Sequence, residues 1–553
     1  MTLRNTFPAL DVPDVPLHEF VLGAADALGV HRDRTALVCA TTGTSLTYGE
    51  LVDGADRIAA GLAARGLGRG DVAAVFAPNS PVYPMVFFGI LTAGAAATTA
   101  NALYTADELA HQLRDSGARV LFTAPGNLDR ARAAVLQDGV RVTEIVLLDG
   151  EPAAGGPVTE SALASWSADR TAPAPRPAVR GGDLAVLPYS SGTTGRPKGV
   201  MLTHRNLVAN TLQSLPLGRL DERSVALAVL PLFHIYGLTA IMSMSLYRRA
   251  TVVTMPRFDL KTLLTTIQEH RVDHVSVAPP LALTLAKDPV VDTYDLSSVD
   301  IVLSAAAPLS GELAEAVQRR LGCTVLQGFG LTESSPALLG IPQDRPDIDR
   351  GSVGVLLPGV EARLVDPGGA DVAPGESGEL WCRGPNIMTG YLGNPAATAE
   401  VLDADGYLHT GDLLTVDEHG VFHVVDRLKE LIKYHGYQVA PAELEAVLLT
   451  HAGIADAAVV GVADAHGQEV PMAFVVRAAR APGNPGPEGE VPGGEVLDAD
   501  AVTAYVAARV APHKKVRRVA FLDAIPKSPA GKILRRQLRA LPEAAADAAP
   551  HES

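Results

Sequence analysis

Two patterns of apolar residues predict most of the secondary structure. Over the first 420 residues, short and nearly continuous apolar runs recur, and the stretches between them, such as 260–270, carry apolar residues at helical spacing. Strands that are apolar on both faces and separated by helices indicate a parallel α/β sheet covered on both sides. The predicted strands are VAAVF (72–76), RVLFT (119–123), EIVLLD (144–149), LAVLPY (184–189), VALAVLPLF (225–233), ATVVTM (250–255), HVSVAPP (274–280) and DIVLSAAAP (300–308).

The pattern changes near residue 427 to that of a smaller α+β unit. Strands are predicted at 454–464 and 472–480 and a helix at 497–510, with a surface loop at 481–495, where Pro and Gly are frequent. We therefore predict a large N-terminal domain over 1–426, a small mobile C-terminal domain over 427–540 and a disordered tail over 541–553.

Composition and charge narrow the class of protein. A chain of 553 residues exceeds what one compact core supports, and its net charge of −16 argues against nucleic acid or anionic lipid as a partner. We expect no disulfide or zinc site from three scattered cysteines, no signal peptide and no membrane-inserted helix, and hence a cytoplasmic protein. One segment is strongly basic in this acidic chain. Residues 511–540 hold nine Lys and Arg residues against Asp523 alone, which favours a docking face for a polyanion.

The segment YSSGTTGRPKG (189–199) carries the first candidate chemistry. It follows a predicted strand directly, and ligands of parallel sheets lie beyond the carboxyl ends of the strands. Its glycines allow backbone N–H groups to approach phosphate oxygens, its hydroxyls add donors and Lys198 adds charge. The Walker A ending is absent, because Gly199 follows the lysine. The segment predicts a phosphate-binding loop of another type.

This loop, as part of YSSGTTGRPKGVMLTHRN (189–206), resembles the signature of the adenylate-forming superfamily of acyl-CoA synthetases, adenylation domains and luciferases. Five further segments stand in the family's order, and LPLFHIYGLT (230–239) is similar to the 4-coumarate:CoA ligase and bacterial cinnamate:CoA ligase branch. The five are SAAAP (304–308), QGFGLTESSP (327–336), YLHTGD (407–412), DRLKELIKYHGYQVAPAELE (426–445) and PKSPAGKILRR (526–536).

The resemblance implies a fold of layered, mostly parallel sheets with a small mobile domain, and a reaction in two steps. ATP converts a carboxylic acid into an acyl-adenylate with release of pyrophosphate, and coenzyme A then takes the acyl group and releases AMP. Glu333 would bind Mg²⁺, and Asp412 would accept hydrogen bonds from both ribose hydroxyls. The ATP and AMP contacts it implies are Ser190, Ser191, Gly192, Thr193, Thr194, Lys198, Ala306, Gln327, Gly328, Thr332, Asp412, Arg427 and Lys429.

Four residues are implied in catalysis. Lys532 would reach from the small domain to bridge the acid and the α-phosphate. His234 stands in an apolar context typical of a core histidine, but the resemblance places it between carboxylate and phosphate. Lys433 and Gln438 would complete the site from the small domain, and Lys429 would be the hinge about which that domain rotates between the two steps.

The remaining implied contacts are with coenzyme A, which supplies the thiol, and with the acid. Arg257, His435 and Gly436 match coenzyme A contacts, although many relatives carry lysine where this chain has His435. The acid pocket is small and flat, which favours a planar aryl-propenoic acid, and it offers no evident polar partner for a ring hydroxyl. Its implied lining is Tyr236, Ala240, Leu303, Ala305, Ala306, Gly330, Pro336 and Ala337.

Three alternatives stay open at this point. A medium- or long-chain fatty acyl-CoA synthetase would share the chemistry with a different pocket. An acyl-AMP ligase would load a carrier protein instead of coenzyme A, but the basic segment and Arg257 suit the phosphates of coenzyme A better. A nucleotide-binding protein without catalysis is disfavoured by the intact Lys198, Glu333 and Lys532.

Overall fold

The structure is a computed structural model that describes residues 2–5, 7–23, 29–152, 158–166, 177–190, 197–435, 437–464, 468–478, 497–529 and 531–545. The predicted loop at 481–495 and residues 546–553 of the predicted tail lie outside the described residues. In the described part, no helix has the length and apolar character needed to cross a membrane.

The strands divide between the large domain and the C-terminal unit. In the large domain they are β1 Leu3–Arg4, β2 Thr35–Cys39, β3 Ser45–Thr47, β4 Val72–Phe76, β5 Ala96–Thr99, β6 Val120–Thr123, β7 Glu144–Leu147, β8 Thr159–Ala162, β9 Leu184–Ser190, β10 Lys198–Thr203, β11 Val225–Ala228, β12 Thr251–Thr254, β13 His274–Val277, β14 Ile301–Ser304, β15 Thr324–Gly330, β16 Ala337–Gly340, β17 Val355–Leu356, β18 Glu361–Val365, β19 Gly378–Arg383, β20 Gly390–Tyr391, β21 Leu408–Val416 and β22 Phe422–Arg427. In the C-terminal unit they are β23 Ile432–Tyr434, β24 Tyr437–Val439, β25 Ile454–Ala463, β26 Glu469–Arg477 and β27 Arg518–Phe521.

The helices lie between these strands. They are α1 Leu17–Leu22, α2 Tyr48–Ala64, α3 Val82–Thr92, α4 Ala106–Ser116, α5 Leu128–Val135, α6 Leu163–Trp166, α7 His204–Ser214, α8 Met244–Tyr247, α9 Leu260–His270, α10 Pro279–Lys287, α11 Gly311–Leu321, α12 Pro395–Ala399, α13 Pro441–Leu449, α14 Ala499–Ala507, α15 Arg535–Arg539 and α16 Pro542–Ala545. A π-helix, Gly237–Ser243, leads directly into α8.

Two large sheets with parallel centres confirm the predicted fold class. Within the described residues, one sheet has the strand order β20-β10-β9-β5-β4-β6-β7-β8 and the other β17-β16-β15-β14-β13-β11-β12-β2-β3. The pairs from β9 to β8 and from β15 to β2 are parallel, while the outer pairs, β9–β10 and β15–β16 among them, are antiparallel. Both antiparallel turns therefore start at the carboxyl ends of parallel strands, where such sheets bind ligands.

Local sequence signals fix several helix starts. The predicted helix at 260–270 is α9, whose first turn is capped by the carboxylate of Asp259, bonded to the Thr262 N–H at 2.8 Å. Helix α7, which follows the phosphate-loop hairpin, begins with a capping box between Thr203 and Asn206. Its position after β10 is thus determined by the residues at the turn.

Three elements of the structure differ from the sequence predictions. The run 225–233 is a strand only to Ala228, because the Asn79 side chain, rather than another strand, bonds the backbone at Ala228, Leu230 and Leu232. An antiparallel sheet of order β1-β18-β19-β21-β22 in the described residues was not predicted, because its strands alternate in burial instead of being continuously apolar. Residues 541–545 of the predicted disordered tail include α16, and Ala544 packs in a core cluster.

The C-terminal unit has its own core and touches the large domain at defined points. The sheet β25-β26-β27 packs against α13 and α14. Asp426, at the end of the large domain, accepts a hydrogen bond at 2.9 Å from the N–H of Ala442 in the first turn of α13, whose own N-cap residue, Ala440, has no capping side chain. Gly531, at φ 81°, lies so close to α10 that a Cβ there would be 2.6 Å from the Ala278 Cβ.

Candidate active site

A cavity of about 640 Å³ lies where the ends of β9, β14 and β15 meet the C-terminal unit. Its charged side, here called the nucleotide end, is formed by Lys198, Glu333, Arg427 and Lys532. Its apolar side, here called the acyl end, is formed by the following residues: Ser214, Leu217, Phe233, Tyr236, Ala240, Met244, Leu303, Ala305, Pro336 and Ala337. The cavity can therefore hold a molecule that is charged on one side and apolar on the other.

Asp412 and Arg427 face each other across the β21–β22 pair. The Arg427 Nε is 3.0 Å from Asp412 Oδ1, and the two residues are direct neighbours in the register. Asp412 is 3 % exposed and its Oδ2 is buried without a hydrogen-bond partner in the described part of the chain. Burial raises the pKa of this carboxyl group, while the Arg427 charge opposes that rise. A carboxylate with a free oxygen suits a pair of hydroxyl donors such as those of a ribose.

Lys532 enters the cavity from the C-terminal unit. Its turn is closed by the Ser528 N–H, which donates to the Lys532 carbonyl at 2.8 Å, while the Lys532 N–H donates to Ser528 Oγ at 3.2 Å. Burial and repulsion by Arg427 lower the pKa of Lys532 to about 8, although Asp412 and Glu333 favour its charged form. At pH 7 the ammonium group is therefore still mostly protonated and carries its charge into the cavity.

Glu333 and Lys198 meet around Tyr391, a residue that the sequence interpretation missed. The Tyr391 hydroxyl donates to Glu333 Oε1 at 2.8 Å, and Lys198 Nζ lies 4.8 Å from the centre of the Tyr391 ring. Oε2 of Glu333 stays available for a cation. Within the described ranges, no three His, Cys, Asp or Glu residues group as metal ligands. Mg²⁺ is commonly held by one or two carboxylates together with phosphates and water, so Glu333 fits this ion.

His234 lies between the charged and apolar sides. Its Nδ1 accepts a hydrogen bond from the Tyr236 N–H at 3.3 Å, which leaves Nε2 to carry the proton of the neutral ring. Burial and the nearby Lys532 charge lower its pKa to about 4, so the ring is neutral at pH 7. A neutral imidazole that lines the cavity can donate one hydrogen bond to an oxygen of a bound acid or phosphate.

The π-helix shapes the acyl end. Tyr236, Ala240 and Met244 recur every fourth residue along the π-helix and the start of α8, and all three line the cavity. The Tyr236 hydroxyl donates to the Leu303 carbonyl at 2.9 Å, which fixes the ring as a flat wall. Opposite them, Gly330 passes so close to the next turn that a Cβ would lie 1.8 Å from the Pro336 carbonyl oxygen. The acyl end is a narrow space between rigid segments.

The structure brings most of the predicted residues to this cavity. The residues predicted for the nucleotide, the metal and the acid that line it are Ser190, Lys198, His234, Tyr236, Ala240, Leu303, Ala305, Ala306, Gly328, Gly330, Thr332, Glu333, Pro336, Ala337, Arg427, Lys429 and Lys532. The Asp412 side chain lies behind Arg427, as described above. Residues Ser191, Gly192, Thr193, Thr194 and Gly436 lie outside the described residues.

Other predicted residues are not at the cavity wall. Gln327, expected beside the adenine, is 2 % exposed, and its side chain bonds the backbone of Leu309 and Arg350 behind the wall. Lys433 and Gln438 are register partners in the exposed β23–β24 hairpin. The hairpin turn residue His435 and the large-domain residue Arg257 are exposed as well. In this arrangement Lys532 of the C-terminal unit lines the cavity, whereas the β23–β24 hairpin lies at the surface of the C-terminal unit.

Sequence reasoning also missed part of the acyl end. Ser214, Leu217 and Met244 belong to no recognisable motif. They lie at the end of α7, in the 3₁₀ turn that follows it and at the start of α8, and α7 and α8 pack beside each other. Serine and apolar residues on helices are common in protein cores, so the residue types gave no signal. The four-residue spacing of the predicted Tyr236 and Ala240 could have added Met244 to the same face.

Comparison with known proteins agrees with this geometry. Residues 25–392 match the AMP-binding enzyme family and residues 443–532 match the AMP-binding enzyme C-terminal domain. The chain is 40 % identical to 4-coumarate–CoA ligase 3 of Arabidopsis thaliana, with 97 % of this chain and 93 % of the relative covered. It is 38 % identical to 4-coumarate-CoA ligase 1 of Narcissus pseudonarcissus, with 97 % and 96 % covered.

A solved structure extends the likeness to three dimensions. The anthranilate CoA ligase AuaEII in complex with anthranoyl-AMP superimposes with a TM-score of 0.85 at 25 % identity, with 96 % of this chain and 98 % of that one covered. Together with the sequence matches, it confirms the resemblance drawn from the motifs. The chain belongs to the AMP-binding enzyme family.

Proposed function

We propose that this protein is an ATP-dependent ligase that activates an aryl-propenoic acid of the cinnamate or 4-coumarate type as an acyl-adenylate and transfers the acyl group to coenzyme A. ATP, Mg²⁺ and coenzyme A serve the reaction, as in the family to which the chain belongs. The observation that carries the proposal is the single cavity with Lys532 and Arg427 on one side and the narrow apolar space beside Tyr236 on the other.

In the first step, a carboxylate oxygen of the acid attacks the α-phosphorus of ATP, and the bond to pyrophosphate breaks. The five-coordinate phosphorus gathers negative charge, which aligned cations and donors stabilise. Lys532 binds between the acid and the α-phosphate, and the neutral His234 donates a hydrogen bond at the same point. Thr332 contacts the α-phosphate, and Lys198 contacts the outer phosphates together with the loop of residues 190–194. Mg²⁺ held by Glu333 would neutralise phosphate charge.

The nucleoside part of ATP is bound by a second group of residues. Asp412 accepts hydrogen bonds from the ribose hydroxyls and Arg427 supports the same sugar, while Ala306 and Gly328 lie against the adenine. No proton needs to be removed from the acid, because a carboxylic acid is already ionised at neutral pH. His234 and Lys532 therefore position charge and do not act as general bases.

In the second step, the thiol of coenzyme A attacks the carbonyl carbon of the adenylate, the thiol proton leaves, and the bond to AMP breaks. We propose that residues 427–540 rotate about Lys429 for this step and bring Lys433 and Gln438 to the cavity in place of Lys532. Arg257, His435 and Gly436 contact the phosphates and nucleotide of coenzyme A. An imidazole at His435 contributes less charge there than a lysine would.

The proposal is tested with purified protein, ATP, Mg²⁺ and a panel of acids, with and without coenzyme A. The panel comprises cinnamate, 4-coumarate, benzoate, octanoate and palmitate, and both pyrophosphate and thioester are followed. We expect the aryl-propenoic acids to give thioester fastest. Lys532→Ala serves as the control, because it retains the acid pocket and removes the cation that the first step requires.

The other outcomes identify the alternatives. Octanoate or palmitate ahead of the aryl acids would make the protein a fatty acyl-CoA synthetase. Pyrophosphate without thioester would point to a carrier protein as the acceptor and remove the roles of Arg257 and His435. Absence of pyrophosphate with every acid would leave only nucleotide binding. The absence of a nucleic-acid partner stays a prediction from the charge of the chain, and a cytoplasmic location stays a separate prediction from the sequence.

A further inference from the structure

Tyr391 lies between two oppositely charged residues of the nucleotide end. It is 8 % exposed and lines the cavity. Its hydroxyl donates to Glu333 Oε1 at 2.8 Å, and Lys198 Nζ lies over its ring, 4.8 Å from the ring centre. No ion pair joins Lys198 to Glu333 in the part of the chain that the structure describes. The two charged residues thus contact different parts of one neutral side chain and do not pair with each other.

The backbone around Tyr391 is bonded to the segments of both charged residues. Strand β20 pairs antiparallel with β10, and Tyr391 lies opposite Val200 in that pair. The Met388 N–H donates to the Glu333 carbonyl at 2.9 Å. One short segment is therefore hydrogen-bonded to the strand that begins with Lys198 and to the turn that carries Glu333. Main-chain bonds fix where the tyrosine stands relative to both charges.

A direct pair between Lys198 and Glu333 would interfere with the binding of ATP. Unlike charges attract strongly in a partly buried site, because little water screens them. Such a pair would occupy the ammonium protons that the outer phosphates need and a carboxylate oxygen that Mg²⁺ needs. Burial raises the pKa of the Tyr391 hydroxyl, so the side chain is uncharged at neutral pH and cancels neither charge. Its hydroxyl binds one carboxylate oxygen, and the face of its ring attracts the ammonium group.

We propose that Tyr391 is a positioning residue that keeps Lys198 and Glu333 apart before ATP binds. The ammonium group then stays free for the outer phosphates, and one carboxylate oxygen stays free for Mg²⁺. The inference rests on the proposed function, in which Lys198 and Glu333 have these roles. Tyr391 takes no part in the bonds that form or break. A tyrosine that served packing alone would have no influence on whether the two charges pair.

The test measures ATP binding to the full chain by isothermal titration calorimetry, without any acid, in EDTA and at increasing Mg²⁺ concentrations. Tyr391→Phe keeps the ring and removes the hydroxyl. We expect this variant to need about tenfold more Mg²⁺ for half of the gain in ATP affinity, the lower range for a hydrogen bond to a charged group. Tyr391→Leu also removes the ring, so that Lys198 can pair with Glu333. In EDTA it should bind ATP about three- to fivefold more weakly, as expected for competition by a partly exposed ion pair.

Glu333→Gln separates the proposed pairing from a loss of packing. In EDTA it removes a negative charge near the phosphates, so it should strengthen ATP binding in the native background. In the Tyr391→Leu background it also releases Lys198, and the gain in affinity should be about three- to fivefold larger. Equal gains in the two backgrounds would overturn the proposal, and so would an unchanged Mg²⁺ dependence in Tyr391→Phe.

Tyr407→Phe and Tyr407→Leu are the matched controls. Tyr407 is 4 % exposed and has the Arg383 guanidinium 4.8 Å from the centre of its ring, but it does not line the cavity. Both controls should bind ATP like the native protein, and a loss equal to that of the Tyr391 variants would also overturn the proposal. Because unfolded protein lowers the stoichiometry and not the affinity, misfolding does not mimic the expected result.

The outcomes for Tyr391 and for the ligase function are distinguishable. ATP binding is measured without acid, whereas the ligase function is decided by pyrophosphate and thioester in the acid panel. Failure of the Tyr391 variants to behave as expected would remove the role of this residue and leave the ligase function intact. Absence of ATP binding by the native protein, with and without Mg²⁺, would remove the proposed function and this inference together.

Discussion

The nucleotide end and the acyl end of the cavity are built from different kinds of segment. The nucleotide end consists of charged residues at strand ends and turns, including Arg427 on β22 and Lys532 on the loop before α15, and burial and the neighbouring Arg427 charge lower the pKa of Lys532. The acyl end consists mainly of apolar residues, carried by helical segments such as the π-helix and α8 and by the ends of strands β14 and β16, and it is held by packing and by a few backbone hydrogen bonds such as that of Tyr236. Electrostatic contacts that form in the transition state contribute most to rate, while apolar walls discriminate weakly among acids. Substitutions at the nucleotide end should therefore have large effects on rate, and substitutions at the acyl end should have smaller effects, mainly on the choice of acid.

The largest effect is expected for Lys532→Ala. Loss of a cation that acts on developing phosphate charge should lower the rate of pyrophosphate release by about 10²- to 10³-fold. The matched control is Arg536→Ala, which removes an exposed basic residue four positions further on and leaves the rate near that of the native protein. A comparable loss of rate in both variants would mean that the total positive charge of this segment, and not the position of Lys532, determines the rate of pyrophosphate release.

Asp412→Asn should have the next largest effect. Hydrogen bonds to charged groups contribute about 1.5–3 kcal/mol, so kcat/KM for ATP should fall by about 10- to 100-fold. The same variant should leave the ratio of kcat/KM between cinnamate and octanoate unchanged, because Asp412 lies away from the acyl end. A change in acid preference would show that the two ends are coupled.

The alkaline pH dependence should follow Lys532. Its pKa is lowered to about 8 in the free enzyme, so the cation is lost as the pH rises through that value. The kcat/KM for pyrophosphate release should therefore fall by about tenfold between pH 7 and pH 9, since this parameter reports groups of the free enzyme. Lys532→Arg, whose guanidinium stays charged, should be slower at pH 7 but lack this fall. An unchanged alkaline limb in that variant would assign it to another group.

Met244→Ala should have the smallest effect on rate and change selectivity instead. Removing a buried side chain at the far wall lengthens the acyl end, and kcat/KM for octanoate relative to cinnamate should rise by about three- to tenfold. The free energy of unfolding should fall by about 2–5 kcal/mol, as for other buried methionines. Unfolding by urea and the two rates give separate measurements of these effects. An unchanged ratio would mean that Met244 does not limit the length of the acid.

The sequence allowed the nucleotide end to be predicted better than the acyl end for a physical reason. Phosphate and ribose contacts need particular residue types at fixed turns, so Lys198 and Asp412 stand in segments that can be recognised. Ser214 and Met244 line the cavity through their place on packed helices, and their residue types are common in any core. Tyr391 was missed because its partner, Glu333, is 58 residues away in the chain. The parallel strands were predicted from continuous apolar runs, whereas the antiparallel sheet that carries Asp412 was missed because a strand such as β19 alternates in burial along its length.

If residues 427–540 rotate as we propose, the bond between Asp426 and α13 gives the two domain orientations unequal free energies. The carboxylate belongs to the chain before Lys429, and the Ala442 N–H that it accepts belongs to the chain after it. The proposed rotation about Lys429 would separate them and leave the start of the helix without its acceptor. A capping interaction of about 0.5–2 kcal/mol changes the ratio of the two populations by about 2- to 30-fold. In the proposed cycle, one carboxylate outside the cavity would thus favour the orientation that presents Lys532 to the cavity, so that the resting protein would accept the acid before the thiol.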